Sequence, residues 1–347
     1  MTKILVTGGC GFIGSNFIRK LLLTETLQGI KIINFDALTY AANRDNLKDL
    51  EGRSDYEFIL GDISKYSEVE KCFQLHSDIS RVIHFAAESH VDRSLHDSSP
   101  FILTNVLGTQ VLLDVSRKYK IKRFLYVGTD EVYGALTPDQ EPVNEEGPLR
   151  PNSPYAASKT AAEHFVRAAW KSFGLPVIIS RCSNNYGPYQ FPEKLIPLMI
   201  INALEDKPLP VYGDGKQIRD WIHVDEHVRA LFLLLYGSIE DGSIWNIGGN
   251  CEKTNLEVIE LILKILNKSQ DLITFVKDRP GHDRRYAIDD KKLRDTFGLW
   301  RATVPAMSFE EGLLETVNWY IENKEWWERV RSGAYRQYYE KHYGQSL

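Results

Sequence analysis

Tyr155 and Lys159 stand four residues apart in the run Ser153-Pro-Tyr-Ala-Ala-Ser-Lys159. On a helix that spacing puts a phenol and an ammonium on one face. The ammonium favours the phenolate, lowering the tyrosine toward a working range and making it a proton acceptor. Hydride can leave a carbinol carbon only if the hydroxyl proton is taken as well, so the pair suits redox chemistry at an alcohol. Ser153 and Pro154 supply the N-cap and first position that such a helix needs. The same spacing recurs at Tyr320 and Lys324, where the pattern predicts a solvated helix face.

Gly8-Gly-Cys-Gly11-Phe12-Ile13-Gly14 has the spacing G-x-x-G-x-x-G, directly after the apolar Ile4-Leu5-Val6 and opening an amphipathic stretch. Glycines there permit a tight turn, let a pyrophosphate approach the backbone and bring helix close to strand; the helix N-terminus adds N–H donors and partial positive charge. A ligand-free glycine turn has the same spacing, so context decides. The next strand ends at Asp36, roughly 20 residues past the last glycine, where a carboxylate binds a ribose 2'-hydroxyl and repels a 2'-phosphate. NAD is therefore expected rather than NADP, with Arg44 the nearby residue that keeps NADP open. Asp62 reads equally as a group meeting the adenine edge or as a turn carboxylate after Gly61, and Ala86-Ala87 provide small residues for the dinucleotide's middle.

These groups need a scaffold, and the first half of the chain supplies one by alternation. Strands are predicted at 3–7, 31–36, 56–60, 81–86, 123–128 and 176–181, with helices at 12–23, 67–76, 100–119 and 154–173 between them. The strands are continuous apolar runs, as a parallel sheet covered on both faces requires. The expected fold is α/β: a doubly wound parallel (Rossmann) sheet with a smaller C-terminal α/β substrate-binding domain. Polar clusters follow the strands at Asp36, Asp62, Glu88-Ser89, Thr129-Asp130-Glu131 and Asn184-Asn185, the carboxyl ends where ligands of such sheets gather. After Tyr186 the rhythm breaks, with helices predicted at 226–236, 255–266 and 309–323. The dinucleotide domain is placed at 1–185, with possible return segments near 216–248 around Trp221 and Trp245, and the substrate domain at 186–347.

Composition narrows the function class. A chain of 347 residues suggests roughly two domains. A net charge of −5 with no basic run gives no pull toward nucleic acid or anionic lipid. Apolar runs such as Ala230 to Tyr236 fall far short of the roughly 20 residues of a membrane helix, and Ile4-Leu5-Val6 is too short for a signal-peptide core; a cytoplasmic protein is expected. Cys10, Cys72, Cys182 and Cys251 form no CxxC pair, so neither a metal site nor a disulfide framework is expected. No internal repeat is evident.

Six segments in register then carry a resemblance: Phe85-Ala-Ala-Glu-Ser-His-Val-Asp-Arg-Ser94, Thr129-Asp-Glu-Val-Tyr-Gly134, Arg181-Cys-Ser-Asn-Asn-Tyr-Gly-Pro188, Arg219-Asp-Trp-Ile-His-Val-Asp225, Asp278-Arg-Pro-Gly-His-Asp-Arg-Arg-Tyr286 and Ser332-Gly-Ala-Tyr-Arg-Gln-Tyr-Tyr339. Over nearly its whole length the chain resembles the extended short-chain dehydrogenase/reductase family of nucleotide-sugar epimerases and dehydratases. It departs at Cys10, where alanine is common, which raises the expectation of a turn sensitive to thiol reagents, and at Gly128, where serine is common.

The resemblance implies a 4,6-dehydration. Once C4 of a sugar is a ketone the C5 proton becomes acidic, and water can leave from C6 if one group takes that proton while another protonates the hydroxyl. Glu131 is implied as that base and Asp130, kept protonated, as that acid, with Thr129 holding the C4 oxygen beside Tyr155 and Lys159. Adjacent carboxyls push each other's pKa values apart, as separate roles require. The implied cofactor set is Gly8, Gly11, Phe12, Ile13, Gly14, Asp36, Leu38 and Thr39, then Asp62, Ile63, Ala86, Ala87, Ser89, Thr104, Tyr155, Lys159 and Asn185. Arg219 and Arg279 suit a pyrophosphate because a guanidinium can pair its donors with phosphate oxygens; Tyr212, after Pro210, would stack on the base. Ser89, Thr129, Asn184, Lys194, Leu195, Asn255 and His282 are implied to face the nucleotide sugar, with dTDP-glucose the expected substrate. A 4-epimerase, or a 4,6-dehydratase of another nucleotide sugar, is the alternative. By analogy a homodimer is expected through helices 100–119 and 154–173.

Overall fold

The computed structural model describes residues 2–23, 29–298 and 307–331. Seven parallel strands form the main sheet: β1 (Thr2–Thr7), β2 (Ile30–Asp36), β3 (Tyr56–Leu60), β4 (Ile79–His84), β5 (Arg123–Thr129), β6 (Val177–Cys182) and a late edge strand, Ile244–Ile247. Their order across the sheet is edge strand, β6, β5, β4, β1, β2, β3. Apolar runs take this form because alternate residues serve opposite faces. Ile4, Val6, Ile32, Ile83, Leu125 and Ile178 enter one core with Phe17, Ile18, Val228 and Leu231. Leu5, Ile33, Val82, Phe124 and Ile179 enter the other, with Phe73, Leu112, Val115 and Val166. The fold is thus a doubly wound α/β sheet. Between β1 and β4 the strand order reverses direction, opening a crevice beyond their carboxyl ends.

Helix Phe12–Leu23 springs from the glycine turn, and Pro154–Phe173 starts where Ser153 Oγ accepts the Ala156 N–H at 3.1 Å. The helix predicted over 100–119 is not uniform. It runs as Ser99–Phe101, a π-turn over Ile102–Gly108, then Thr109–Lys118. The wider turn presents Asn105 inward, where its side chain holds both the N–H and the carbonyl of Glu88, while Ile102, Leu103 and Leu107 stay exposed. Apolar periodicity cannot reveal that extra residue in the turn.

The two tryptophan segments part company. Trp245 lies in the edge strand beside β6. Trp221 lies in β9 (Ile218–His223), counting β7 as Asn184–Tyr186 and β8 as Leu209–Tyr212, and β9 joins a small sheet with β7 and with Glu252–Thr254. A third core gathers around helices Leu195–Leu204, Asn255–Leu266 and Phe309–Glu322. Tyr320 belongs to it, against the expected solvated face: it is fully buried and its hydroxyl donates to the Gln190 carbonyl. Lys324 lies beyond the end of that helix and is exposed. The Ser332–Tyr339 segment lies outside the described residues. Among those described, no helix is long and apolar enough to cross a membrane and no group of residues could hold a metal ion.

Candidate active site

The crevice at the reversal point is built first from glycine. Gly8 has φ +71°, and a Cβ there would lie 2.6 Å from the Ala86 nitrogen; one at Gly14 would lie 2.4 Å from the Gly8 carbonyl. No side chain larger than hydrogen fits at either place, so the turn leaves its backbone open to a ligand while packing against the end of β4. Asp36, at the end of β2, is buried and accepts the Cys10 N–H and the Leu38 N–H, each at 2.8 Å. Burial raises its carboxyl above the ordinary value while those two N–H groups pull it back. Asp62 Oδ1 closes a turn by accepting from Ser64, and the residue also lines the crevice.

The crevice lining gathers Gly8, Gly11, Phe12, Ile13, Gly14, Asp36, Thr39, Asp62, Ile63, Ala86, Ala87, Ser89 and Thr104 with Thr129, Asp130, Glu131, Tyr155, Lys159, Asn184, Asn185 and Lys194. Leu38 is outside that lining, in a left-handed conformation with its side chain exposed. Asn185 also holds His227 Nδ1 at 2.8 Å, and Lys194 donates to the Ser89 carbonyl at 2.8 Å. Cys10 is 1 % exposed, and burial foremost, with Asp36 next, pushes its thiol up to about 12. A neutral thiol without solvent access is inert toward alkylating reagents, which corrects the expectation of a reagent-sensitive turn.

The chain after β5 turns at once into a short 3-10 helix, Asp130–Tyr133, capped by Thr129 Oγ1, which accepts the Glu131 N–H at 3.3 Å. That turn throws both carboxyls to the crevice instead of to opposite faces of a strand. Behind it, Arg181 holds the Tyr133 hydroxyl at 2.7 Å and forms a two-pronged ion pair with Glu163, both groups nearly fully buried. Tyr133 in turn donates to Asn246 Oδ1 at 2.8 Å. Removing one partner of such a buried pair costs about 3–5 kcal/mol, so the turn has a stiff backing.

The two carboxyls differ in surroundings. Asp130 is 3 % exposed, its Oδ2 has no hydrogen-bond partner, and burial, then Glu131 and Asp220, hold its pKa well above the ordinary value. Glu131 is half-buried and also raised by burial, but Arg279, Arg219 and Lys194 pull it down. Burial thus favours the neutral form of both, with Asp130 the more enclosed and Glu131 the one acted on by more cations. Lys159 is buried and pulled down to about 8 by that burial, with its Nζ donating to the Val127 carbonyl at 2.8 Å and lying 4.4 Å from the centre of the Tyr126 ring. Tyr155 departs from the expected lowering. Burial foremost, then the Glu131 charge, raises it well above its ordinary value, and the Thr129 hydroxyl acts in the other direction. With Lys159 turned to a carbonyl, desolvation outweighs the effect of their shared helix face.

A second group lies beside the crevice lining. Arg219 is buried, donating to the Ile218 and Asp283 carbonyls at 2.7 and 3.0 Å. Arg279 pairs with Asp92 at 2.7 Å, the Tyr212 hydroxyl donates to the same carboxylate at 3.2 Å, and His282 meets the Tyr212 ring edge-on. Leu195 packs on the third core, Pro210 is buried in β8, and Asn255 spends its N–H on the Gln217 carbonyl at 3.0 Å. Sequence reasoning missed two groups here: Asp92, and Glu193, which lines the crevice together with Glu88 of the polar cluster after β4. Glu193 is buried, accepts the Tyr40 hydroxyl at 2.9 Å and is pushed up to about 7 by burial. Its only sequence signal is adjacency to Lys194.

A doubly wound sheet with a glycine-cradled crevice, a tyrosine and lysine on one helix and a Thr-Asp-Glu turn beside them defines the extended short-chain dehydrogenase/reductase class. Within that class the chain belongs to the GDP-mannose 4,6 dehydratase family, whose model matches residues 5–316. It is 46% identical to the dTDP-glucose 4,6-dehydratase of Neisseria meningitidis serogroup B, covering 97% of this chain and 98% of the relative. Among solved structures it is similar to the Bacillus anthracis dTDP-glucose 4,6-dehydratase in complex with NAD, at 47% identity and TM-score 0.86, covering 95% of this chain and 100% of that one. The Streptomyces venezuelae dTDP-glucose 4,6-dehydratase with NAD and TYD bound gives 44% and 0.89, with coverages of 95% and 100%.

Proposed function

We propose that the protein converts dTDP-glucose to dTDP-4-keto-6-deoxyglucose and water with tightly held NAD. The observation that carries this reading is the Thr129-Asp130-Glu131 turn facing the same crevice as Tyr155, with burial keeping a proton on Asp130 while three cations favour an ionised Glu131. An epimerase needs the tyrosine but no such acid and base. NAD fits the crevice on physical grounds: the Gly8–Gly14 backbone is open where a Cβ would fill it, and Asp36 offers a carboxylate at the ribose position. When bound, NAD accepts hydride from C4 and returns it to C6, and its ring charge adds to Lys159 in favouring the phenolate.

The residues divide the proton work. Tyr155 takes the C4 hydroxyl proton, with Thr129 holding that oxygen. Glu131 takes the C5 proton made acidic by the C4 ketone, Asp130 gives its proton to the departing C6 hydroxyl, which leaves as water, and protonated Glu131 would return a proton to C5 as hydride is delivered to C6. Thr39, Asp62, Ile63, Ala86, Ala87, Thr104 and Asn185 wall the dinucleotide. Ser89, Asn184 and Lys194 face the sugar; Arg219 and Arg279 hold the diphosphate, Tyr212 stacks on the base, and Leu195, Pro210, Asn255 and His282 complete that end. Incubation with dTDP-glucose alone should generate the alkali-induced absorbance of a 4-keto-6-deoxy sugar, with no second substrate and no accumulation of NADH. Silence with dTDP-glucose but turnover of UDP-glucose to UDP-galactose would overturn the proposal.

We also infer a cytoplasmic homodimer. Ile102, Leu103 and Leu107 on the π-turn and Phe165 and Phe173 on the Pro154–Phe173 helix are 42–58 % exposed, an apolar set on the two helices expected to pair. Sedimentation should give a dimer, and Leu103→Glu should shift it toward monomer; a monomeric parent would refute the pairing.

A further inference from the structure

The Asp92 carboxylate lies where two segments remote in sequence meet. Its Oδ1 takes an ion pair from Arg279 Nη1 at 2.7 Å and its Oδ2 accepts from the Tyr212 hydroxyl at 3.2 Å. Asp92 itself is 8 % exposed, and Arg279 foremost, then His90, offset the burial and keep its carboxyl below the ordinary value. On the other side of the guanidinium, Arg279 Nε is buried with no hydrogen-bond partner. One carboxylate thus fixes both side chains at the nucleotide end while leaving an arginine donor unspent.

An arginine has five N–H donors, so the same guanidinium can serve Asp92 and a second anion together. A long side chain fixed before its ligand arrives loses less freedom on binding, and a partly buried guanidinium is steadied by a permanent counter-charge. Asp92 supplies both. Its place in the helix Val91–His96, directly after the Glu88-Ser89-His90 stretch at the end of β4, anchors the nucleotide end to the sheet that carries the dinucleotide crevice.

We propose that Asp92 is a positioning residue for the nucleotide diphosphate: its two carboxylate oxygens hold Arg279 and Tyr212 in the binding arrangement, and it does not itself touch substrate. The inference rests on the assignment of Arg279 to the diphosphate made above. Asp92→Asn, nearly isosteric, keeps hydrogen-bonding capacity but loses the charge. In the holoenzyme it should weaken dTDP binding by calorimetry, and raise KM for dTDP-glucose, by about tenfold, with kcat and NAD content within twofold of the parent. Asp92→Ala should weaken binding further. In an Arg279→Ala background, however, Asp92→Ala should add less than about threefold, because the group it acts through is gone. Unchanged dTDP binding in Arg279→Ala would overturn the diphosphate assignment and the Asp92 role with it. Weakened binding in Arg279→Ala with an unaffected Asp92→Asn, or full additivity in the double variant, would overturn the Asp92 role alone.

Discussion

Tyr155→Phe is expected to lower kcat by about a thousandfold, in the range of a lost general acid-base group, while NAD content and folding persist. The substitution removes one oxygen and leaves everything else that fixes the residue. The Tyr155 N–H donates to Ser94 Oγ at 3.2 Å, and the ring meets Phe101 edge-on with centroids 6.4 Å apart. The helix N-terminus stays capped by Ser153. Without the hydroxyl, no group beside Thr129 can take the C4 proton, so the first oxidation stalls and elimination cannot follow. Product formation and the nucleotide released on denaturation are the two measurements. Turnover near that of the parent would remove Tyr155 from the chemistry.

Glu131→Gln should reduce product formation by about a hundredfold or more and, in deuterated water, abolish solvent label at C5 of recovered substrate. The amide keeps the side chain's shape in the capped turn but cannot accept the C5 proton. Its pH signature is specific. Burial raises Glu131 above the ordinary glutamate value, so the ionised base is lost as pH falls through that raised value, and the acid limb of kcat/KM lies higher than an exposed carboxylate would put it. Lys159 is pulled down to about 8, so its charge fades as pH rises through that value, and with it the support for a Tyr155 phenolate. The parent should give a bell with its alkaline limb near 8, and the variant should retain that limb while losing the acid one. A C5 label that survives the substitution would reassign the base.

What could be read from the sequence was local. The glycine turn, Asp36 and the seven-residue register between Ser153 and Lys159 each place their groups through contacts within one element or one βαβ unit, and the alternating face pattern of Ile4, Leu5 and Val6 gives the doubly wound sheet. What escaped depends on residues that meet only after folding. Asp92 and Arg279 pair across 187 positions, and no spacing rule links them. The π-turn at Ile102–Gly108 is invisible because it preserves an apolar face while rotating Asn105 inward. Tyr320 shows the reverse error: its pattern with Lys324 reads as surface, yet packing against the third core buries the phenol. Even for the Tyr155–Lys159 pair, whose two residues line one crevice, spacing misleads about proton affinity, because desolvation is a property of the folded surroundings and not of spacing.

The edge strand Ile244–Ile247 carries a consequence for synthesis on the ribosome. It is parallel to β6, with Ile244 to Ile247 opposite Ile179 to Cys182, yet the chain builds β7, β8, β9 and the helices around them before reaching it. Until then β6, apolar over Val177 to Ile179, lacks its outer partner and is a template for pairing with another nascent chain. The growing polypeptide therefore passes through a window of association risk that closes only when Trp245 is laid down, and demand for chaperone cover should be concentrated in that interval.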